Sequence, residues 1–108
     1  MTHQSIQRVL ERMKSDFCTN LNLRTLAAES GYSRNHFLRL FRRYMSCTPH
    51  QYLLRLRIER AQSLMQDKSM RLIDIAAACG FSSHAQLSRV FRHLLGATPS
   101  QYRRKIAQ

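Results

Sequence analysis

Residues 23–33 read LRTLAAESGYS and residues 72–82 read LIDIAAACGFS, two segments that share five of eleven residues at an offset of 49. When one extra residue is allowed in the second copy, residues 34–56 align with residues 84–106. These two segments share seven further identical residues, including a phenylalanine, a Thr-Pro pair and a tyrosine. Two copies are too few for a solenoid, which needs about three repeats. The repetition therefore predicts two like subdomains.

Each copy predicts a helix-turn-helix. In the first copy residues 23–29 are rich in alanine and helical, and Gly31 can take the left-handed conformation that ends a helix. Ser33 then caps a second helix over residues 34–45. Apolar residues in this second helix recur at i, i+3, i+4 and i+7, which predicts one buried stripe. The stripe comprises Phe37, Leu40, Phe41 and Tyr44, and in the second copy Leu87, Val90, Phe91 and Leu94.

Further helices flank these motifs. Apolar residues at helical spacing predict an N-terminal helix over residues 5–17. Thr-Pro pairs at 48–49 and 98–99 supply an N-cap and a first helical residue. The helix that starts at Pro49 runs to about Met65 and spans roughly 26 Å.

These elements predict an all-α fold of seven helices, in which a long central helix joins two helix-turn-helix subdomains as a homeodomain-like pair. The polar segment 66–71 predicts the break between them. The first subdomain, with the N-terminal and linker helices, is expected to span residues 1–66, and the second residues 67–108.

Charge is the strongest compositional signal. Among 108 residues, 18 are basic and 6 acidic, so the formal net charge is +12, and fifteen of the basic residues are arginine. Residues 30–58 and 75–108 contain no Asp or Glu. A small domain with this much positive charge favours a polyanionic partner, because phosphates that are neutralised by basic side chains release their counterions. The alternative is a solvated basic surface without a partner.

The outer faces of the two second helices suit a major groove. Arginine can pair with guanine, asparagine with adenine, and a small or apolar group can contact a thymine methyl. Exposed arginines are often merely solvated, but here the same positions recur in both copies. Leu38 has two interpretations, packing at the edge of the core or contact with a base. The outer-face residues are Arg34, Asn35, Leu38, Arg39 and Arg42, then His84, Ala85, Ser88, Arg89 and Arg92.

Several basic residues are better placed as phosphate anchors than as base readers, because they extend a turn beyond the base-reading positions or precede them. Such contacts set the register of a protein on DNA without reading sequence. The predicted phosphate contacts are Arg34, Arg42, Arg43, Arg92 and His93.

Catalysis is not expected. The five histidines lie at no metal-ligand spacing, and the three cysteines form no CxxC pair. There is no glycine-rich phosphate loop and no acid pair in an apolar segment, so no enzyme, metal or cofactor is predicted. No apolar run approaches the ~18 residues of a membrane span, and no signal peptide begins the chain, which predicts a cytoplasmic protein.

Two motifs in this sequence resemble those of the AraC/XylS family of bacterial transcription regulators. The first motif is LAAESGYS at 26–33 followed by FLRLFR at 37–42. The second, more distinctive one is IAAACGFSS at 75–83 followed by SRVFR at 88–92 and TPSQYR at 98–103. The resemblance covers residues 6–105.

The resemblance implies sequence-specific binding of double-stranded DNA and regulation of transcription initiation. The two recognition helices (about 34–45 and 84–95) would enter adjacent major grooves, about one helical turn apart. It implies base contacts by Asn35, Leu38 and Arg39 in one groove and by His84, Ala85, Ser88 and Arg89 in the other. Family members often carry an aromatic residue in place of Asn35 and glutamine in place of Leu38 and His84, so base preference cannot be transferred.

The chain resembles both the stand-alone activators of the family and the C-terminal module of its longer members. RNA polymerase is an implied partner, no inducer pocket is expected, and a monomer that associates with the nucleoid when bound to DNA is expected. Two other functions remain open: a module that docks on an acidic protein, and non-specific nucleoid or RNA binding.

Overall fold

Seven α-helices and no strand are found in the computed structural model, which describes the backbone of residues 2–107 and the side chains of residues 4–107. The predicted all-α fold is thereby confirmed. The helices are α1 (Thr2–Asp16), α2 (Leu23–Ser30), α3 (Arg34–Met45), α4 (Pro49–Leu64), α5 (Leu72–Ala78), α6 (His84–Leu95) and α7 (Pro99–Ile106). None of the described helices is long and apolar enough to span a bilayer.

Side-chain caps set the starts of the helices that matter most for function. Ser33 Oγ accepts a hydrogen bond from the His36 N–H at the start of α3, and Ser83 Oγ accepts one from Gln86 at the start of α6. At the start of α7, Thr98 Oγ1 accepts from the Gln101 N–H while the Gln101 side chain accepts from the Thr98 N–H. Such reciprocal capping boxes satisfy two otherwise unpaired donors.

The same box opens α4. Thr48 Oγ1 lies 3.1 Å from the Gln51 N, and Gln51 Oε1 lies 2.9 Å from the Thr48 N. Both Thr-Pro pairs therefore act as the sequence predicts, with threonine as N-cap and proline as the first helical residue.

The chain divides into two compact units, Met1–Leu54 (unit 1) and Arg55–Gln108 (unit 2). This division falls inside α4, twelve residues before the predicted boundary between residues 66 and 67. The reason is that the second half of α4 belongs to the core of unit 2. Three buried apolar residues there repeat the i, i+3, i+7 spacing of three in α1. They are Ile58 and Ala61 of α4 and Met65 directly after it, against Ile6, Val9 and Met13 in α1.

Each unit is therefore a four-helix repeat rather than a helix-turn-helix with an attached connector. Unit 1 contains α1, α2, α3 and the first half of α4, and unit 2 contains the second half of α4, α5, α6 and α7. One helix thus serves as the last of the first unit and the first of the second.

The core of unit 1 centres on aromatic side chains. Phe37 and Phe41 of α3 are fully buried, with ring centroids 5.8 Å apart. Phe41 also meets Tyr52 of α4 edge-on, with centroids 6.0 Å apart. Outside this core, Arg12 of α1 pairs with Asp16 one turn later at 2.6 Å and with Glu29 of α2, which ties α1 to α2.

Unit 2 repeats this arrangement. Leu87 and Phe91 of α6 are fully buried, and Phe91 meets Tyr102 of α7 edge-on with centroids 5.3 Å apart. The Tyr102 hydroxyl accepts a hydrogen bond from Gln62 of α4 at 3.5 Å. Aromatic packing therefore fixes the second recognition helix as it does the first.

The predicted buried stripe is wrong at its last position in both copies. Tyr44 is 43% exposed and Leu94 is 39% exposed. The following helix packs against the recognition helix at the level of Phe41 and Phe91, one turn earlier, so the last turn extends beyond the core.

The segment between α4 and α5 is ordered by Asp67. Its carboxylate accepts hydrogen bonds from the Ser69 hydroxyl at 2.6 Å and the Ser69 N–H at 3.0 Å. These bonds, with a smaller contribution from the positive charge of Arg103, lower the pKa of Asp67 below its usual value. Arg103 of α7 also donates to the Asp67 carbonyl at 3.2 Å, which links this segment to α7.

The C-caps of the two recognition helices predict a difference in stability. Ser46 ends α3 at φ 62°, whereas Gly96 ends α6 at φ 77°. A residue with a Cβ is strained in this left-handed region, so Ser46→Gly should raise the free energy of unfolding by about 0.5–1 kcal/mol. Urea denaturation monitored by circular dichroism measures the free energy of unfolding of the wild type and of the variant.

Gly96→Ser is the matched control. No atom lies within 4 Å of a Cβ built at Gly96, so only the backbone conformation opposes the side chain, and the substitution should destabilise by a similar amount. Equal stability of wild type and both variants would contradict this account.

Candidate nucleic-acid interface

The first recognition helix, α3, presents a polar face to solvent because its apolar face is held inside unit 1. Phe37 and Phe41 point inward one helical turn apart, which fixes the rotation of the helix about its axis. Asn35, Arg39 and Arg42, which the spacing assigns to the outer face, are all exposed.

The second recognition helix, α6, is oriented by Leu87 and Phe91 in the same way. His84, Ala85 and Arg89 are exposed. The two helices therefore present equivalent positions of their repeats to solvent, each within its own unit.

All five predicted phosphate contacts lie on the surface of the described chain: Arg34, Arg42, Arg43, Arg92 and His93. The ion pairs seen among residues 4–107 lie elsewhere, between α1 and α2 and at the start of α5. These side chains therefore face solvent rather than an internal carboxylate.

Leu38 and Ser88, the equivalent pair at the middle of the predicted base-reading strips, are only half-buried. Leu38 lines a small apolar cleft of about 230 Å³ in unit 1, together with Leu26 of α2 and Leu53 of α4. Its side chain thus lies at the edge of the core, with part of its surface still accessible.

The acidic residues are segregated from the recognition helices. They occur in α1, α2, the second half of α4, the segment after it, and α5. None occurs in α3, in the first half of α4, in α6 or in α7. In each unit the recognition helix and the residues that directly follow it therefore carry basic side chains and no acidic ones, a charge distribution that attracts polyanions.

Two basic clefts were not predicted from the sequence. In unit 1 a cleft of about 450 Å³ lies between α2 and the start of α3 and is lined by Arg24, Ala27, Ala28, Tyr32 and Arg34. In unit 2 a groove of about 660 Å³ runs beside α6 to the start of α7 and is lined by Ser88, Arg89, Arg92, His93 and Thr98. Arg24 and Thr98 were missed because each resembles an ordinary helix-start residue in the sequence.

Other side chains of potential chemical interest do not gather into a site. Among the residues whose side chains are described, no three His, Cys, Asp or Glu lie close enough to share a metal ion. Cys47 and Cys79 are buried and Cys18 is exposed.

Comparison with known proteins agrees with this geometry. The family profile described as a helix-turn-helix domain matches residues 26–105, about three quarters of the chain. The crystal structure of an AraC-type DNA-binding regulator from Chromobacterium violaceum has a TM-score of 0.85 and 32% identity, covering 98% of this chain and 95% of that one. The chain belongs to the AraC/XylS family.

Two further relatives support that membership. The DNA-binding domain of the global transcriptional factor AdpA, solved in complex with a target DNA, has a TM-score of 0.87 and 31% identity, covering 93% of this chain and 90% of that one. The HTH-type transcriptional regulator GbdR of Pseudomonas aeruginosa is 34% identical over 98 residues, 91% of this chain. The chain spans about a quarter of the length of GbdR.

As an AraC/XylS module the chain is a sequence-specific DNA-binding domain of the kind that regulates transcription, not an enzyme. Double-stranded DNA is its partner. The predicted family and the predicted DNA-binding function are confirmed.

Proposed function

We propose that one molecule inserts α3 and α6 into adjacent major grooves of one duplex and thereby regulates transcription initiation. The observation that carries the proposal is the repeated recognition helix, which exposes an arginine at the equivalent positions Arg39 and Arg89 on surfaces without acids. The relative AdpA, whose DNA-binding domain was solved in complex with a target DNA, supports DNA as the ligand of this fold.

Base reading is assigned to the middle and N-terminal turns of each recognition helix. In the first groove Asn35 pairs with adenine, Arg39 pairs with guanine, and the accessible part of Leu38 contacts a thymine methyl. In the second groove Arg89 pairs with guanine, and His84, Ala85 and Ser88 make the remaining base contacts. The two sets differ in chemistry, so the DNA site is asymmetric and about two turns long.

Phosphate contacts flank the base readers. Arg42 and Arg43 follow the base readers of α3, as Arg92 and His93 follow those of α6. Arg34, at the first position of α3, reaches the backbone on the other side. These contacts supply affinity and register without sequence preference.

The family resemblance also supports a proposal about the binding partners of the protein and its location in the cell. A regulator of this type acts as a cytoplasmic monomer that associates with the nucleoid when bound to DNA, and as an activator it contacts RNA polymerase. An effector within this chain is not proposed.

Specificity is tested by selecting duplexes in vitro and measuring binding to the selected site in competition. Binding should survive a ~10³-fold excess of random duplex, because specific complexes of this kind exceed non-specific ones by at least that factor. Equal competition by random DNA, or by an acidic protein, would show that the basic faces serve another partner.

Base reading by the two arginines has a sharper test. Arg39→Ala and Arg89→Ala should each cost about 1–3 kcal/mol on the selected duplex and less on random duplex, since a bidentate guanine contact is lost. Anisotropy titrations measure both affinities. Arg8→Ala, which removes an exposed arginine from α1, is the charge-matched control. Equal losses on both duplexes would reject base reading.

The phosphate role predicts a different signature for Arg42→Ala and Arg92→Ala. Each should weaken binding to all sequences alike and reduce the slope of log K against log salt by about 0.9, the value for one lost phosphate contact. An unchanged slope with reduced affinity for the selected site alone would assign these arginines to base contacts instead.

A further inference from the structure

The turn before the recognition helix is one residue longer in unit 2 than in unit 1. In each unit a glycine with a left-handed backbone lies at the end of the first helix, and a serine N-cap begins the second. These pairs are Gly31 and Ser33 in unit 1, and Gly80 and Ser83 in unit 2. Phe81 follows its glycine as Tyr32 does in unit 1, so Ser82 is the additional residue.

The residues on either side of Ser82 are fixed. Phe81 is buried, and its N–H donates to the Ala76 carbonyl at 3.0 Å. Ser83 is held by the cap in which its hydroxyl oxygen accepts from the Gln86 N–H at 3.0 Å. Ser82 itself is exposed, and an additional residue in a turn adds backbone freedom. The placement of the first turn of α6 therefore depends on what holds Ser82.

The Gln86 side chain holds it. Gln86 Oε1 accepts hydrogen bonds from the Ser82 N–H at 2.6 Å and from the Ser82 hydroxyl at 3.0 Å. In an ordinary capping box the third helical residue bonds to the N–H of the N-cap, as Gln101 does with Thr98. Gln86, the third residue of α6, instead reaches one residue further back, to the additional residue of the turn.

Unit 1 holds its turn from the same helical position by another contact. His36, the third residue of α3, places its ring edge-on to the ring of Tyr32, with centroids 4.7 Å apart. Tyr32 directly precedes its N-cap, as Ser82 does. In both units the third residue of the recognition helix thus contacts the residue before the cap, through rings in unit 1 and through hydrogen bonds in unit 2.

We propose that Gln86 is a positioning residue for base reading by unit 2: by holding Ser82, it sets where the first turn of α6 presents His84 and Ala85 to the DNA. The inference rests on the proposed function and adds a specificity-determining residue outside the predicted base contacts. Gln86 is half-buried and lies off the outer-face strip of α6, so it acts through its neighbours.

The effect of Gln86 is confined to one end of the recognition helix. A hydrogen bond to a base is lost once donor and acceptor separate beyond about 3.5 Å, so a small displacement of the first turn removes the contacts made there. Arg89 lies more than a turn further along α6, where buried Leu87 and Phe91 hold the helix. Its contact is therefore expected to survive the loss of Gln86.

Gln86→Leu tests the proposal, because leucine has a similar helix propensity but offers no acceptor to Ser82. Anisotropy titrations are made with the selected duplex and with duplexes changed at one base pair each. A wrong base pair typically weakens specific binding by roughly five- to a hundredfold. In Gln86→Leu this penalty should fall below about threefold at the base pairs read by the first turn, and should stay as in wild type at those read by Arg39 and Arg89.

The base pairs are assigned with variants that remove the contacts themselves. His84→Ala identifies the base pairs read by the first turn as those whose penalty it lowers, and Arg89→Ala does the same for the middle of α6. Ser82→Ala removes only the hydroxyl hydrogen bond to Gln86. It should lower the first-turn penalties by a smaller factor, and it provides the test if Gln86→Leu does not fold.

Two further variants distinguish positioning from direct contact and from simple loss of stability. Gln86→Glu keeps the acceptor for Ser82 and suits the first turn of a helix, so it should keep the wild-type pattern of penalties while its charge weakens binding to every duplex. Gln101→Leu removes the corresponding side-chain cap from α7, which carries no base reader. It should also leave the pattern unchanged, since lost stability lowers the affinity for all duplexes alike.

Three results would overturn the positioning role. They are a wild-type pattern in Gln86→Leu, a wild-type pattern in His84→Ala, which would leave no contact to position, and a lost pattern in Gln86→Glu, which would assign Gln86 a direct contact with DNA. Wild-type chain that binds selected and random duplexes equally would reject the proposed function. Preference for the selected duplex combined with any of the three results rejects only the role of Gln86.

Discussion

The edge-on contact between a phenylalanine of the recognition helix and a tyrosine of the next helix is the interaction on which the interface depends. It occurs in both units, as Phe41–Tyr52 and Phe91–Tyr102. Because helical residues i and i+4 share a face, a phenylalanine fixed inward determines which side chains point outward. The exposed positions of Arg39 and Arg89, each two residues before that phenylalanine, are thus a consequence of aromatic packing in the core.

The four-helix repeat explains why the division between the units lies within α4. A helix-turn-helix leaves one apolar side open, which in unit 1 is covered by Ile6, Val9 and Met13 of α1. Unit 2 needs the same cover, and the second half of α4 supplies it through the same spacing. The second half of α4 is therefore part of the core of unit 2 as well as a link along the chain, and polar substitution of its buried residues should destabilise unit 2.

Local chemistry made most of the fold predictable. The helix N-caps form hydrogen bonds to residues three positions later, so a short stretch of sequence is enough to predict them. They are Ser33, Ser83, Thr48 and Thr98. The exposure of Tyr44 and Leu94 was not predictable from periodicity, because it depends on where the next helix packs. The clefts lined by Arg24 and Thr98 likewise require the approach of two helices, which no single helical pattern contains.

The two units share the residues that build the scaffold and the arginines Arg39/Arg89 and Arg42/Arg92, and they differ at several other proposed base contacts. Phenylalanine, tyrosine and the Thr-Pro caps are retained in both copies, whereas Asn35 aligns with Ala85 and Leu38 aligns with Ser88. Under the proposed base contacts, two like scaffolds with unlike surfaces would read two different half-sites, and a palindromic DNA site would match only one of them. A single molecule would then bind its site in one orientation, which would give a regulator a defined direction on the DNA relative to a promoter.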